Sequence, residues 1–356
     1  MADSTTIPTP KNAAETATDV GSAAATSILT LHPSIIQTHI LTRLDVSALA
    51  SVATTCSQLH AVVSQEDFWA HLCHSTWPST SSPRIRHVIR RFPHGSRSFF
   101  YDSATIPRPN TTIPRNSHVN LDRTPQLISA VDLYHRRQLL LSRVVQTETV
   151  SDSFRCSPFR VDILEPEEVV QTHIRYPESD EAYQELARGL RMSWILIDAS
   201  GGRAMTVSSR MPIGLQQYWQ GGTAGFSFIS AMTSNEEPLW KLKVCRLMVR
   251  CVEAVGGETE VREVSLKMEG IDGRTKLNGR ESLVILQRLL EGKRESKKQA
   301  RERCEGRDLE TRRRRARPDM VRQSLAMLSF VALLFVFVVR RPGPLVGMMR
   351  KVQNKK

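Results

Sequence analysis

The stretch that most constrains the fold of this chain is Leu31–Trp69, where apolar residues recur at helical spacing in three short blocks. Pro33 suits the first turn of a helix, because that position needs no backbone N–H. Ser47 can cap a second helix, and Ser64–Asp67 is close to a capping box that opens a third. The apolar positions that repeat through the first two blocks are Ile36, Ile40, Leu44, Leu49, Val52, Cys56 and Leu59. Three helices in about forty residues bury too little surface to be stable alone, so a partner or a neighbouring domain is expected.

This stretch resembles an F-box. The resemblance rests on Leu31 and Pro33 at its start, on the apolar positions above, and on the aromatic pair Phe68–Trp69 at its end. Two features depart from the family pattern: one extra residue separates Leu31 from Pro33, and Leu59 stands where an aromatic residue is expected. The resemblance implies a helical hairpin that binds a Skp-type adaptor and, through it, a cullin of a ubiquitin ligase. An ordinary helical subdomain with a buried apolar seam is the alternative.

An adaptor would contact an apolar face of this hairpin. The residues expected on that face are Leu31, Pro33, Ile36, Ile40, Leu41, Leu44, Leu49 and Val52. The wider chain resembles a plant F-box group that carries a β-rich C-terminal region and, in several members, an apolar C-terminal segment. The segments that carry this resemblance are residues 42–79, 129–164, 192–204 and 261–287. The group implies a substrate receptor whose protein substrate is unknown.

The length of 356 residues allows two domains with tails. The net charge of +13 would suit nucleic acid or an anionic membrane, and much of the excess lies near the C-terminus. The six cysteines form no Cys-x-x-Cys pair and no secretory signal precedes them, so reduced thiols of a cytosolic protein are expected. Residues 1–27 are rich in Ala, Thr and Ser, which predicts a disordered leader.

The F-box is expected to span residues 28–77, and a helix with a Pro-, Ser- and Arg-rich linker is expected at 78–124. The amphipathic helix, which Pro93 ends, is predicted from Ile85, Val88, Ile89 and Phe92. The arginines on its other side could contact phosphate, although a solvated helix face is more common: they are Arg84, Arg86, Arg90 and Arg91. His71–His74 offers metal-ligating residue types, but no second pair stands at zinc-ligand spacing, so a packed cysteine is the better interpretation.

From about Pro125 the apolar period changes to that of β-strands. The predicted strands are Leu127–Tyr134, Leu139–Val150, Arg160–Leu164, Ser193–Asp198, Arg203–Ser209, Gly225–Met232, Trp240–Val255 and Glu260–Glu269. Hairpin loops are expected at 135–137, 200–202 and 256–257, and a phase change predicts a β-bulge near Cys245–Arg246. Glu178–Leu190 is the one helix expected between strands. This order favours an antiparallel sandwich or an open barrel.

A closing helix with Leu283, Leu286 and Leu290 on one face is predicted after the cap at Asn278. Residues 291–323 form a charged tether that contains the block Arg312–Arg317. The uncharged run Ser324–Val339 predicts a transmembrane tail anchor, with a buried core helix as the alternative. The arginine block would then contact anionic lipid headgroups.

The expected fold class is α+β multidomain: an N-terminal helical F-box hairpin, an antiparallel β-rich, sandwich-like domain at 125–290, a C-terminal helix and a single transmembrane helix. With only the basic tail 340–356 beyond the anchor, the rest of the chain would face the cytosol. The short apolar run favours the endoplasmic reticulum, with the mitochondrial outer membrane second.

The expected function is substrate recognition in a Skp–cullin–F-box ubiquitin ligase that is tethered to a membrane. A membrane-anchored F-box regulator or scaffold that acts without ubiquitin transfer is the alternative. The sequence has no phosphate loop and no nucleophile elbow, so no enzymatic activity, cofactor or metal is expected. A nucleic-acid binder is disfavoured, because the basic run lacks the interleaved aromatic residues that stack on bases.

Overall fold

The computed structural model of the chain describes residues 31–107, 120–218, 223–232 and 242–295. The chain divides into two units with the boundary between Phe68 and Trp69, inside helix α4 (Glu66–Thr76). The first unit contains the helices that precede this boundary. The second unit contains further helices and the β-sheets.

The first unit begins with one irregular helical segment. It starts as α1 (Pro33–Ile35), widens to a π-helix at Ile36–Ile40 and tightens to a 3-10 turn at Leu41–Arg43. Pro33 stands in the first helical turn, and the side chain of His32 accepts a backbone N–H there at 3.3 Å. The first predicted helix is therefore present, but its backbone changes pitch twice.

The second predicted helix is divided into α2 (Val46–Ala53) and α3 (Ser57–Val63). The cap of α2 is Asp45 and not the predicted Ser47, because the Asp45 carboxylate accepts an N–H of the first turn at 2.7 Å. Cys56 adopts an extended backbone between the two helices, and its sulfur accepts an N–H at the start of α3. The helical run that the apolar spacing alone would continue is thus interrupted between Ala53 and Ser57.

In the second unit the helix predicted before Pro93 is confirmed as α5 (Pro83–Ile89). Its buried face consists of Ile85, Val88 and Ile89. A further helix, α6 (Gly95–Ala104), has no counterpart among the predictions. It packs through aromatic residues, since the rings of Phe99 and Phe100 lie 6.1 and 5.2 Å from the ring of Trp77.

The strands of the second unit form antiparallel sheets. In chain order they are β1 (Ile106–Pro107), β2 (Gln126–His135), β3 (Gln138–Glu148), β4 (Arg160–Asp162), β5 (Val170–Arg175), β6 (Leu190–Asp198), β7 (Arg203–Thr206), β8 (Gly214–Tyr218), β9 (Thr223–Ala231), β10 (Lys243–Glu253), β11 (Glu258–Gly270) and β12 (Arg294–Glu295). A four-stranded sheet has the order β3-β2-β6-β7, and a six-stranded sheet has the order β4-β11-β10-β9-β8 with β5 also on β11. β1 pairs with β12. The predicted antiparallel β-rich domain is therefore confirmed, and β5 and β8 are strands that the sequence did not indicate.

Two of the predicted hairpin loops take the backbone conformations that tight turns need. Arg136 and Arg137 have positive φ of 47° and 75°, the signature of a type I′ turn, and they join β2 to β3. Gly257, with φ of 75°, lies in the loop that joins β10 to β11. The polar tripeptide at 135–137 is thus a true hairpin loop although it lacks glycine.

The β-bulge predicted near Cys245–Arg246 is wrong. The register of β10 against β11 shifts instead between Arg250 and Cys251. The residues of β10 that alternate into the hydrophobic core are Cys245, Leu247, Val249 and Cys251. Val244 is also only 1% exposed, and it points to the opposite face of the sheet. Because both faces of β10 are covered here, apolar residues occur at odd and even positions. The sequence therefore suggests a bulge near Cys245–Arg246, although the pairing with β11 keeps its register there.

The core of the second unit takes side chains from both large sheets, including Trp194 of β6 and Phe226 of β9, which are both 0% exposed. Three helices accompany the strands: α7 (Asp152–Cys156), α8 (Asp180–Gly189) and α9 (Gly279–Leu290). The predicted capping box of α9 is confirmed, since Asn278 and Glu281 exchange side-chain and backbone hydrogen bonds. The predicted face of Leu283, Leu286 and Leu290 lies in the core.

The predicted leader at 1–27, the tether beyond residue 295 and the apolar run Ser324–Val339 lie outside the described residues. Across the described ranges, no helix combines the length and the apolar character that crossing a membrane requires. The longest of these helices, α9, has 12 residues, whereas a spanning helix needs about 20. The fold class with a transmembrane helix is therefore corrected to a helical unit followed by an antiparallel β-rich unit. The tail-anchored localisation at the endoplasmic reticulum or mitochondrial outer membrane is corrected with it, and lipid contact through Ser324–Val339 and Arg312–Arg317 has no support.

Candidate functional site

The residues predicted to contact an adaptor differ in exposure, and this separates interior from surface positions. The buried group, at 4% exposure or less, consists of Ile36, Leu41 and Leu49. The half-buried group consists of Ile40, Leu44 and Val52. The exposed group consists of Leu31 and Pro33. Only the second and third groups offer apolar surface to a partner, so the buried group supports the site from within.

Ile35 is an exposed apolar residue that the sequence reasoning missed. It is 43% exposed, and Leu31, four residues earlier, is 41% exposed. Leu31 precedes the helix and Ile35 lies in its first turn, so no helical repeat links the two positions. The predicted stripe followed Ile36 and its repeats instead, and those positions turned out to be mainly interior. Leu31, Pro33 and Ile35 together form what we call the exposed apolar surface of the first unit.

The exposed apolar surface carries no charge. Residues 31–42 contain no Asp, Glu, Lys or Arg. Two polar side chains of this segment have partners within the first unit: the hydroxyl of Thr38 donates to the carbonyl of Ser34 at 2.8 Å, and the amide of Gln37 donates to Gln65 at 2.9 Å. Association at this surface would therefore be driven by burial of apolar area, with little dependence on salt.

One buried carboxylate of the second unit with several hydrogen bonds is Asp132 on β2. It is 0% exposed and accepts hydrogen bonds from the backbone N–H and the hydroxyl of Ser79, at 2.9 and 2.7 Å. The hydroxyl of Ser142 on β3 donates to it at 2.7 Å. Burial raises the pKa of Asp132 above its ordinary value of 3.8, and the hydrogen bonds from both serines oppose that rise. This cluster fixes the 3-10 turn Pro78–Ser81 on the four-stranded sheet.

The raised pKa of Asp132 predicts a pH dependence of stability. Because its pKa is higher in the folded than in the unfolded chain, the folded chain holds more protons between the two values, and stability falls as the pH rises through that window. Asp132→Asn cannot titrate and should flatten this fall. Urea unfolding of both proteins from about pH 4 to pH 7 measures the two slopes, and titrations common to both proteins cancel. Identical slopes would contradict the prediction.

A polar cleft of about 120 Å³ lies beside Asp198, Gln287 and Arg123. Asp198 accepts the hydroxyl of Thr124 at 3.0 Å, and Arg123 pairs with Glu291. Its charged groups are therefore already used to join neighbouring elements. In the described part of the chain, no three His, Cys, Asp or Glu side chains are placed to share a metal ion.

Comparisons with known proteins agree with the geometry of the first unit. A family profile described as F-box-like matches residues 33–75. "F-box protein At2g27310" of Arabidopsis thaliana is 40% identical over 88% of this chain and 97% of its own length. "Probable F-box protein At2g36090" of the same plant is 42% identical over 75% of this chain and 76% of its own length. "F-box protein At3g44326", also of Arabidopsis thaliana, is 38% identical over 71% of this chain and 70% of its own length. No solved structure matches.

F-box proteins generally act as substrate adaptors in Skp–cullin–F-box ubiquitin ligases and are typically non-catalytic subunits. In those complexes the F-box binds a Skp-type adaptor and, through it, a cullin. The match begins at Pro33 and so includes two of the three residues of the exposed apolar surface, and the similarity to the Arabidopsis proteins continues through the β-rich unit. The chain therefore belongs to the F-box protein family.

Proposed function

We propose that this chain is the substrate-recognition subunit of a Skp–cullin–F-box ubiquitin ligase. In this proposal its F-box binds the adaptor and its β-rich unit binds the substrate. The observation that carries the proposal is the exposed apolar surface. Leu31 and Ile35 leave more than two fifths of their area exposed in a segment without charge. Exposed apolar side chains four residues apart in an uncharged segment offer surface that a protein partner can bury.

The half-buried residues extend the proposed contact. Ile40, Leu44 and Val52 present part of their side chains to solvent. Ile36, Leu41 and Leu49 are covered, so their proposed role is to hold the helical segments in place. Substitution of the covered residues would unfold the unit, whereas substitution of Leu31 or Ile35 should act on binding alone.

The β-rich unit is the proposed recruiting module. It has its own hydrophobic core, built from both large sheets and α9, and this core makes it a rigid body that can carry a recognition surface. The test is a chain that ends after residue 77, which lacks α5, α6 and every strand of the second unit. That chain should still capture the adaptor, and it should lose the other interacting proteins that the full chain captures. Capture of the full set by the shortened chain would refute the assignment.

The adaptor contact is tested by the double variant Leu31→Asp and Ile35→Asp. Burying two unpaired carboxylates in an apolar interface should cost about 3 kcal/mol or more, which weakens binding about a hundredfold. The measurement is the dissociation constant of the purified chain for a Skp-type adaptor. The matched control is Val255→Asp, because Val255 is fully exposed in a hairpin loop of the second unit, and its binding should stay unchanged.

Undiminished adaptor binding by the Leu31 and Ile35 double variant would defeat the site. A second readout separates ligase assembly from adaptor binding alone. Capture of the adaptor together with a cullin supports a ligase subunit, whereas capture of the adaptor without a cullin would support a regulator that acts without ubiquitin transfer. The two results require only one affinity purification from the same cells.

A further inference from the structure

The helices at the start of the second unit carry an unusual excess of arginine. Between residues 83 and 101 the sequence contains no Asp or Glu. It contains five arginines, all exposed, which we call the arginine surface: Arg84, Arg86, Arg90, Arg91 and Arg97. Exposed histidines at 87 and 94 stand among them. Such a concentration of one sign creates a locally positive potential.

The arginine surface stands on a rigid base. The buried side of α5 consists of Ile85, Val88 and Ile89, which are at most 3% exposed. The arginines on the other side of this helix therefore point away from the core. Two of the arginines are also positioned by their neighbours. Arg84 donates to the side chain of Gln126 at 2.9 Å, and the guanidinium of Arg97 lies 5.8 Å from the ring centre of Trp69.

Within the described residues, no carboxylate pairs with the arginine surface, whereas many other arginines of the unit have one. The paired arginines elsewhere include Arg143, Arg160, Arg175, Arg246, Arg250 and Arg262. The next carboxylate along the chain, Asp102, is 3% exposed and pairs instead with Arg294. The positive charge of this surface is therefore not neutralised by the described part of the chain.

The pKa of a nearby histidine is shifted in the direction that this positive charge predicts. The pKa of His74 lies below its ordinary value, first because of burial and then because Arg86 and His71 repel a further positive charge. Like charges placed together without counterions oppose folding. A cluster that the fold itself does not neutralise is therefore best explained by a partner that carries the opposite charge.

We propose that the arginine surface binds an acidic segment of the protein substrate. Guanidinium groups bind carboxylates through paired N–H donors, and several of them in a row match a run of Asp and Glu. Nucleic acid fits less well, because base stacking needs exposed aromatic rings and the aromatic residues of this region are mainly buried: Trp69, Trp77, Phe92, Phe99 and Phe100. Tyr101 is the exposed exception, at 44%. This inference rests on the proposed function, since it names the substrate chemistry of the same receptor.

The probe for the test is a fluorescein-labelled peptide of eight glutamates, and the measurement is its fluorescence anisotropy with the full chain. Wild-type protein should bind the peptide, more weakly as salt is raised from about 50 to 200 mM. Arg86→Glu with Arg90→Glu reverses two charges on one side of α5 and should weaken binding about tenfold or more. The matched control is Arg175→Glu with Arg274→Glu, which changes the net charge equally on exposed positions of the β-rich unit and should leave binding near wild type.

Two results would overturn the proposal. One is equal weakening by both double variants, which would mean that only net charge matters. The other is binding of an eight-residue oligothymidine or of phosphatidylserine vesicles as tightly as the glutamate peptide. Adaptor binding is measured on the same samples. Its retention by Arg86→Glu with Arg90→Glu shows that the variant is folded, and its absence in wild type would refute the proposed function without altering the peptide result.

Discussion

Replacing Asp102 by alanine is expected to lower the free energy of unfolding by about 3–5 kcal/mol. Asp102 in α6 and Arg294 in β12 both have side chains that are only 4% exposed, and Arg294 Nε lies 3.4 Å from Asp102 Oδ1. The backbone N–H of Ala204 also donates to Asp102, at 3.3 Å. Without the carboxylate, a buried guanidinium would lose its counterion and that N–H its acceptor. Equilibrium urea unfolding measures the loss.

The control for this prediction is an exposed ion pair. Asp162→Ala removes a carboxylate that pairs with Arg160 at the surface, where both side chains are more than 40% exposed, so it should cost about 1 kcal/mol or less. The double variant Asp102→Ala with Arg294→Met should recover part of the stability, because it leaves no unpaired buried charge. If Asp102→Ala is no more destabilising than Asp162→Ala, the buried pair does not hold α6 to β12.

The same pair shows why the sequence could not predict α6. Asp102 and Arg294 are separated by most of the β-rich unit, and nothing local links them. The helix also lacks an apolar stripe of regular spacing, because its buried residues include Ser96, Asp102 and Ser103 beside two phenylalanines. Its burial depends on partners distant in the sequence, among them the carbonyl of Ser103, which accepts the hydroxyl of Thr206 on β7. Such tertiary contacts override local propensity.

Elements with local signals were predictable. The capping box at Asn278, the amphipathic face of α5 and the largely apolar strands β2 and β6 all carry their pattern within a dozen residues. β5 and β8 are short and polar, with the sequences VQTHIR and GLQQY, and they become strands through their pairing with β11 and β9. Strand formation of this kind reflects the neighbouring strand more than the residues themselves.

The candidate adaptor site was predictable in part for a related reason. Helical spacing identifies a face of apolar positions from Ile36 onward, and the family resemblance adds Leu31 and Pro33, which are exposed. Spacing does not say which apolar positions the rest of the unit covers. Ile36 and Ile35 are neighbours of the same residue type, and yet one is 4% and the other 43% exposed. Consecutive helical positions point about 100° apart, and the packing of the rest of the unit decides which of the two directions is covered.

Gly279→Ala is expected to destabilise the second unit by about 3 kcal/mol, at the upper end for overpacking. Gly279 is the first residue of α9, and an added Cβ would lie 2.1 Å from the backbone carbonyl oxygen of Phe154 in α7. A carbonyl of the main chain cannot turn aside as a side-chain tip can, so α7 and α9 would have to separate. Helix propensity alone favours alanine over glycine by up to about 1 kcal/mol, so a loss of stability would show that packing decides the outcome.

The matched control is Gly256→Ala, in the loop between β10 and β11. An added Cβ there meets nothing within 4 Å, and Gly256 is not among the glycines with positive φ. Its alanine variant should therefore stay within about 0.5 kcal/mol of the parent. Thermal or urea unfolding of the two single variants gives the comparison directly. Equal stabilities would mean that α7 can move away from α9 at no cost in free energy. The contact between Gly279 and Phe154 would then not stabilise the core beside the capping box.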